Sequence, residues 1–265
     1  MKHRRLVAFA AAFLVLCAGL LPARAQEPAL VAAASSLQYA LAGLATAFAA
    51  QGHPAPRLVF GSSGNISQQI AHSAPFELFM AADENYIADL HERDLVDRRG
   101  TVYGLGRLAI FAVSGSPVAV DSNLDGLARS LKDGRLRKLA IANPELAPYG
   151  RAAMEALDAT ALTDHVRDLL VYGENVAQAA QFAASGSVDA GLIAASLATS
   201  PAMRGTGSFA IVDEALYAPI RQAMVLTRNA GDEAEAFFAF VLGDEGRAIL
   251  EQNGFGVPDA AADGG

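Results

Sequence analysis

The sequence is almost without cysteine: Cys17 stands alone among 265 residues. One thiol forms no internal disulfide and no multi-thiolate metal centre. Histidine is sparse too, with five residues, one of them His3 near the start. His53, His72, His91 and His165 are scattered, none spaced as a metal-ligand pair, and each reads as a surface or satisfied side chain. No G-x-G-x-x-G stretch and no P-loop occurs, so no nucleotide or cofactor site is expected. Residues 61–65 miss the G-x-S-x-G nucleophile pattern, because Asn65 holds its fifth position. Residues 121–126 open like a calcium loop, yet Lys132 stands where a bidentate Glu is needed; the segment reads as a turn into a helix. No apolar run after residue 21 is long enough to span a bilayer.

Basic residues are few and unevenly placed. Lys2, Arg4 and Arg5 precede an apolar run over residues 6–21, and Ala23, Arg24 and Ala25 form an A-x-A site. That order predicts a secretory signal peptide cleaved after Ala25. The alternatives are a membrane anchor, for which the run is short, and lipidation of Cys17, for which Leu16 is too bulky a neighbour. Cleavage takes Lys2, Arg4, Arg5 and Arg24 away, leaving 16 basic against 28 acidic residues, a net charge of −12. Nucleic acid and anionic lipid are disfavoured as partners by that sign. A cysteine-free exported chain suits a bacterial periplasm. The remaining 240 residues suffice for one large domain or two small ones.

What is present is an alternation of short apolar runs and helical patterns, the mark of an α/β fold with mostly parallel sheets. Strands are expected at residues 30–34, 57–60, 78–81, 139–142, 169–171 and 188–193. Helices are expected at 36–51, 65–72, 84–93, 124–132, 150–157, 176–184, 234–242 and 245–252, with Gly186 stopping the sixth. Two longer extended stretches, 103–113 and 216–226, read as crossings between two α/β halves. Lobe I would hold residues 26–107 and 224–258, lobe II residues 108–223, and 259–265 a disordered tail.

Four junctions share one design: an apolar run, then small or hydroxyl residues, then a helix start. They lie at residues 31–36, 58–64, 139–150 and 170–176. Helix N-termini leave backbone N–H groups unpaired and carry partial positive charge. Four converging in the cleft between lobes would hold an anion without Lys or Arg. Ser35, Ser36, Ser62 and Ser63 sit at two of these ends; each alone reads most simply as a helix cap. Gly61 and Gly64 permit close backbone approach or a plain turn. Pro148 presets a helix start beside Tyr149, and Asn175 caps one before Val176. Hydrogen bonds to a charged group contribute about 1.5–3 kcal/mol each. About five to seven of them exceed the ~8–12 kcal/mol of micromolar to nanomolar binding, which leaves room for the cost of association.

With these residues in view, the chain resembles the periplasmic molybdate-binding proteins of ABC importers. The likeness runs from Leu30 to Val257. It rests on residues 32–35, residues 60–63 leading to Gln69 and Ile70, residues 74–79 with Ala82 and Asp83, and residues 103–108, 142–150 and 253–255. It implies a two-lobed periplasmic binding-protein fold of type II. It implies molybdate or tungstate as ligand and an inner-membrane ABC permease as partner, with no cofactor, no catalysis and a monomeric state. Carried over by position, the oxyanion is held by the hydroxyl and N–H of Ser35 and of Ser63 and by the N–H groups of Tyr149 and Val176. Ser36, Ser62, Gly64, Asn175 and Ala194 are the supporting positions. Ala194 departs from the pattern: many members carry there a tyrosine whose hydroxyl reaches the ligand, so one donor is lost unless Tyr149 or another group replaces it.

A donor-only site accepts molybdate, tungstate and sulfate, which carry no proton at neutral pH. It disfavours hydrogen phosphate, whose proton needs an acceptor. Glu145 and Glu174 are the carboxylates near enough to spoil that logic. The runner-up is a receptor for sulfate or another small oxyanion, separated from molybdate by cavity size alone. From a different class, an exported hydrolase with Ser63 as nucleophile lacks a histidine placed to activate it.

Overall fold

The structure is a computed structural model that describes residues 27–257. The expected signal peptide (1–25) and tail (259–265) lie outside the described residues. Among the described residues no helix is long and apolar enough to cross a membrane.

The first half begins with β1 (Leu30–Ala34), α1 (Gln38–Ala50), β2 (Arg57–Gly61), α2 (Ser63–Ala71), β3 (Leu78–Ala81), α3 (Glu84–Glu92) and β4 (Thr101–Gly106). β5 (Leu108–Val113), α4 (Asp125–Lys132), β6 (Leu139–Ala142), α5 (Pro148–Ala159) and α6 (Thr163–Val166) follow. Next come β7 (Leu170–Gly173), α7 (Val176–Ala184), β8 (Ala190–Ala194), α8 (Ala195–Ala198) and β9 (Gly207–Ile211). β10 (Ile220–Leu226), α9 (Asp232–Leu242) and α10 (Asp244–Gln252) close the described chain.

These strands form two five-stranded sheets, ordered β2-β1-β3-β10-β4 and β7-β6-β8-β5-β9. Each has a parallel triple at one side, with a fourth strand running antiparallel against it. Parallel strands covered on both faces are apolar throughout. In β1 and β3 the side chains alternate between two cores. Val31, Ala33, Leu78 and Met80 pack with α1, α9 and α10, while Ala32, Phe79 and Ala81 pack with α2 and α3. The second sheet and its helices share one core.

The extended stretch over 103–113 is two strands in two sheets, and the chain crosses between halves at Arg107. It returns through residues 217–219. Ile220–Ala223, expected in the second lobe, pair instead with β3 and β4 of the first sheet. The pairing with β4 shifts register between Gln222 and Ala223, within one continuous strand, and no turn signal in the sequence marks the crossing there.

Several element ends differ from the sequence reading. α2 starts at Ser63, not Asn65, because the Ser62 side chain accepts from Asn65 N–H and caps the helix. α5 starts at Pro148, whose fixed φ and missing N–H suit a first helical position. β8 starts at Ala190. The preceding Asp189 is held by the N–H groups of Arg137 and Lys138 at 2.7 and 3.0 Å. β9 is an edge strand with no strong pattern of its own, formed because β5 offers it a free side.

Candidate functional site

The first turns of three helices face one another across the two halves. In each, capping consumes most of the free amides and leaves one near the N-terminus. In α2, Gly64 N–H donates to Leu146 O in the opposite half at 2.9 Å and Asn65 N–H donates to Ser62 Oγ. Ser63 N–H, at the first helical position, has no intrahelical acceptor. In α5, Gly150 and Arg151 N–H both donate to Ala147 O, and Tyr149 N–H is the one left by helix geometry. In α7, Asn175 Oδ1 accepts from Ala177 and Gln178 N–H at 3.1 Å each, and Val176 N–H remains.

Those ends enclose a small pocket of about 10 Å³, lined by Ala34, Ser35, Ser36, Gly61, Ser62, Ser63, Ala82, Ala147, Pro148, Tyr149 and Val176. Ser35, Ser36, Ser62, Ser63, Tyr149 and Val176 are thus brought together from both halves. All six are buried. The expected supporters Gly64, Asn175 and Ala194 do not line the pocket. Gly64 is where the halves touch: a Cβ on it would stand 2.9 Å from Leu146 O. Asn175 is a cap, and Ala194 lies at the end of β8 paired with Leu108.

The hydroxyls differ in what they can still do. Ser63 Oγ accepts from Ala82 N–H at 2.9 Å, and Ser35 Oγ accepts from Ala177 N–H at 3.2 Å. With an oxygen lone pair engaged by an amide, each hydroxyl proton is free to be donated. Ser62 Oγ caps α2. Ser36 Oγ is buried and meets no hydrogen-bond partner.

No Lys, Arg, Asp or Glu is among the pocket's lining residues. Glu145 and Glu174 are both exposed, and Glu174 accepts from Asn65 Nδ2 at 3.1 Å. Arg151, one turn beyond Pro148, is engaged by Asp83 and by the Tyr86 hydroxyl at 3.0 Å, with its guanidinium 5.4 Å from that ring. The positive potential of the pocket therefore comes from amide dipoles and helix ends. Among the described residues, no group of His, Cys, Asp and Glu could hold a metal ion.

Contacts tie the halves around this pocket. Besides Gly64 with Leu146, Asn65 with Glu174, and Arg151 with Asp83, Ser196 Oγ donates to Ser36 O at 2.8 Å. Sequence reasoning missed Gln222 and Tyr103. Neither sits at a helix start, so no junction pattern points to them.

Residues 29–256 match the family model of the bacterial extracellular solute-binding proteins. The chain belongs to that family. Among its relatives in this solute-binding family is the "Molybdate-binding protein ModA" of Azotobacter vinelandii, 34% identical over 201 residues, covering 75% of this chain and 77% of the relative. The protein of the same name from Rhodobacter capsulatus is 32% identical over 199 residues, covering 74% and 75%. In three dimensions the chain is similar to the Azotobacter vinelandii periplasmic molybdate-binding protein. The TM-score is 0.78 at 30% identity, covering 87% of this chain and all of that one. The two sheets and their helices form the α/β two-lobed fold of these binding proteins.

Proposed function

We propose that this solute-binding protein captures molybdate and tungstate in the periplasm and delivers them to the membrane permease of an ABC importer. The observation that carries the reading is the pocket made of helix N-termini and serine hydroxyls from both halves, with no carboxylate on its wall. Family membership and the molybdate-binding relatives support the choice of ligand. Ser35 and Ser63 donate through hydroxyl and N–H, Tyr149 and Val176 through N–H, and Ser36 and Ser62 complete the wall. The protein acts as a cleaved, exported monomer without cofactor and catalyses nothing; transfer of the anion is its whole task.

The anion is held by charge–dipole attraction in a dry pocket, where each donor contributes more than it would in water. A space of about 10 Å³ admits little more than one water. Entry therefore requires the lobes to part about the crossings near Arg107 and residues 217–219, and the bound anion draws both sets of amides back together. Sulfate satisfies the same donors, so radius decides between it and the larger metal oxides.

A thermal melt tests the reading. Molybdate at 100 times its Kd adds about 2.7 kcal/mol, which raises the Tm by roughly 5–10 °C for a domain of this size. Tungstate should do the same. An unmoved Tm with both anions overturns the proposal, and a shift with sulfate alone moves it to the sulfate receptors.

A further inference from the structure

Behind the pocket runs a buried polar chain that the oxyanion contacts do not use. Tyr149, buried in the first turn of α5, accepts through its hydroxyl oxygen a hydrogen bond from Gln222 Nε2 at 3.0 Å. Gln222 lies on β10 of the opposite lobe and is fully buried. Its Oε1 accepts from the Tyr103 hydroxyl at 2.8 Å, and that hydroxyl also lies 3.2 Å from Ala81 O. On the other side of Tyr149 stands Ser36, whose Oγ is near enough to the phenol to lower its pKa somewhat but meets no partner in full hydrogen-bond geometry.

The direction of these bonds matters. Tyr103 has one proton and gives it to the amide oxygen. The amide then presents only hydrogens toward Tyr149. The Tyr149 oxygen is occupied as an acceptor, so its own proton must point away from Gln222, toward Ser36 and the pocket. Ser36 likewise keeps a free proton. A buried donor without an acceptor is costly, and Ser36, beside the phenol and lining the anion pocket, holds one such donor. Burial pushes both phenols well above the usual tyrosine range, so they keep their protons across physiological pH. Space for the chain comes from Gly106, beside the lobe crossing: a Cβ there would stand 2.6 Å from Gln222 Nε2 and collide with the Tyr149 hydroxyl.

We propose that Gln222 is a specificity-determining positioning residue: from the opposite lobe, its amide holds the Tyr149 and Ser36 hydroxyls as donors toward the pocket. The ligand class thereby favoured is the fully deprotonated tetrahedral dianion. Protonated oxyanions such as hydrogen phosphate and hydrogen arsenate are rejected, because their O–H meets further donors. This rests on the oxyanion reading above and adds the device that selects among oxyanions.

The test is calorimetric titration of molybdate and of inorganic phosphate into wild type, Gln222→Met, Tyr149→Phe and the double variant. Methionine fills the volume but orients no proton, and phenylalanine keeps the ring and the Tyr149 N–H. Each single variant should raise the molybdate Kd about tenfold, the equivalent of one charged hydrogen bond, and lower the molybdate-to-phosphate affinity ratio. The double variant should be no weaker than Tyr149→Phe alone, because both changes remove one proton's direction. An amide turned the other way would take the Tyr149 proton itself, and Gln222→Met would then release that proton and leave the ratio undiminished. An unchanged ratio, or losses that add, overturns the inference. If Gln222→Met gives no cooperative melt, the ratio measured for Tyr149→Phe decides alone. A wild type that binds neither molybdate nor tungstate defeats the oxyanion reading instead.

Discussion

The Ser35 hydroxyl at the end of β1 accepts a hydrogen bond from the N–H of Ala177 in the opposite lobe, at 3.2 Å. One side chain thus caps a helix across the cleft and keeps its own proton for the pocket. Closing the lobes and completing the anion site are for this residue the same event.

Ser35→Ala and Ser63→Ala should each weaken molybdate binding by about 1–3 kcal/mol, read by calorimetry. Ser63→Ala should also lower the Tm without ligand, because the buried Ala82 N–H loses its acceptor. A stability cost of about 1–2 kcal/mol is expected there. Wild-type affinity in both variants removes these residues from the site.

Gly64→Ala isolates closure from donor chemistry. The added methyl would stand 2.9 Å from Leu146 O, a clash present only when the halves are together, and 3.3 Å from the movable Tyr86 hydroxyl of its own half. Affinity for molybdate should fall by about 1–2 kcal/mol, in the range of mild overpacking. The ligand-free Tm should change little, since α2 itself tolerates alanine. An equal loss of stability with and without ligand would place the strain inside lobe I.

Arg151 and Asp83 tie α5 to the start of α3 across the lobes. The pair is partly exposed, so its contribution to closure is small, about 0.5–1 kcal/mol. In a double-mutant cycle of Arg151→Met with Asp83→Asn, molybdate affinity should show a coupling of that size that shrinks at high salt. No coupling at low salt counts the pair out.

Asp189 gives a pH signature. Its burial pulls the carboxyl pKa up, but the N–H groups of Arg137 and Lys138 and the Arg137 guanidinium outweigh it, and the pKa is lowered. A carboxylate with a depressed folded pKa adds stability above its unfolded value near 4, and that contribution is lost as the pH falls through the folded one. Asp189→Asn should therefore destabilise the protein by about 1–2 kcal/mol at pH 7. Chemical denaturation from pH 7 down to pH 3 should bring variant and wild type together. A gap that stays constant would assign Asp189 a purely steric part.

Local pattern sufficed wherever the physics is local. Leu78–Ala81, Leu139–Ala142 and Val176–Ala184 form where their apolar spacing and the Asn175 cap place them. The four junctions were legible because a strand that runs into a helix start needs Ser, Asn or Pro there. β9 was not, since Gly207–Ile211 is ordered only by pairing with β5. Gly64, Asn175 and Ala194, expected as supporting positions, stand outside the pocket lining for a similar reason. Sequence shows that such residues stand near a helix end, but not which side of it they face.

What the sequence determined by itself is the set of strands and helix starts and the want of charge around them, because caps, φ preferences and period-2 alternation act within a few residues. Only the tertiary structure decided that Ser36 lacks a partner while Ser35 has one across the cleft, and that Gln222 reaches Tyr149. Those facts depend on bonds between residues more than 70 positions apart. Such bonds form only when two separately packed lobes meet, and no local preference encodes which atoms will then face each other.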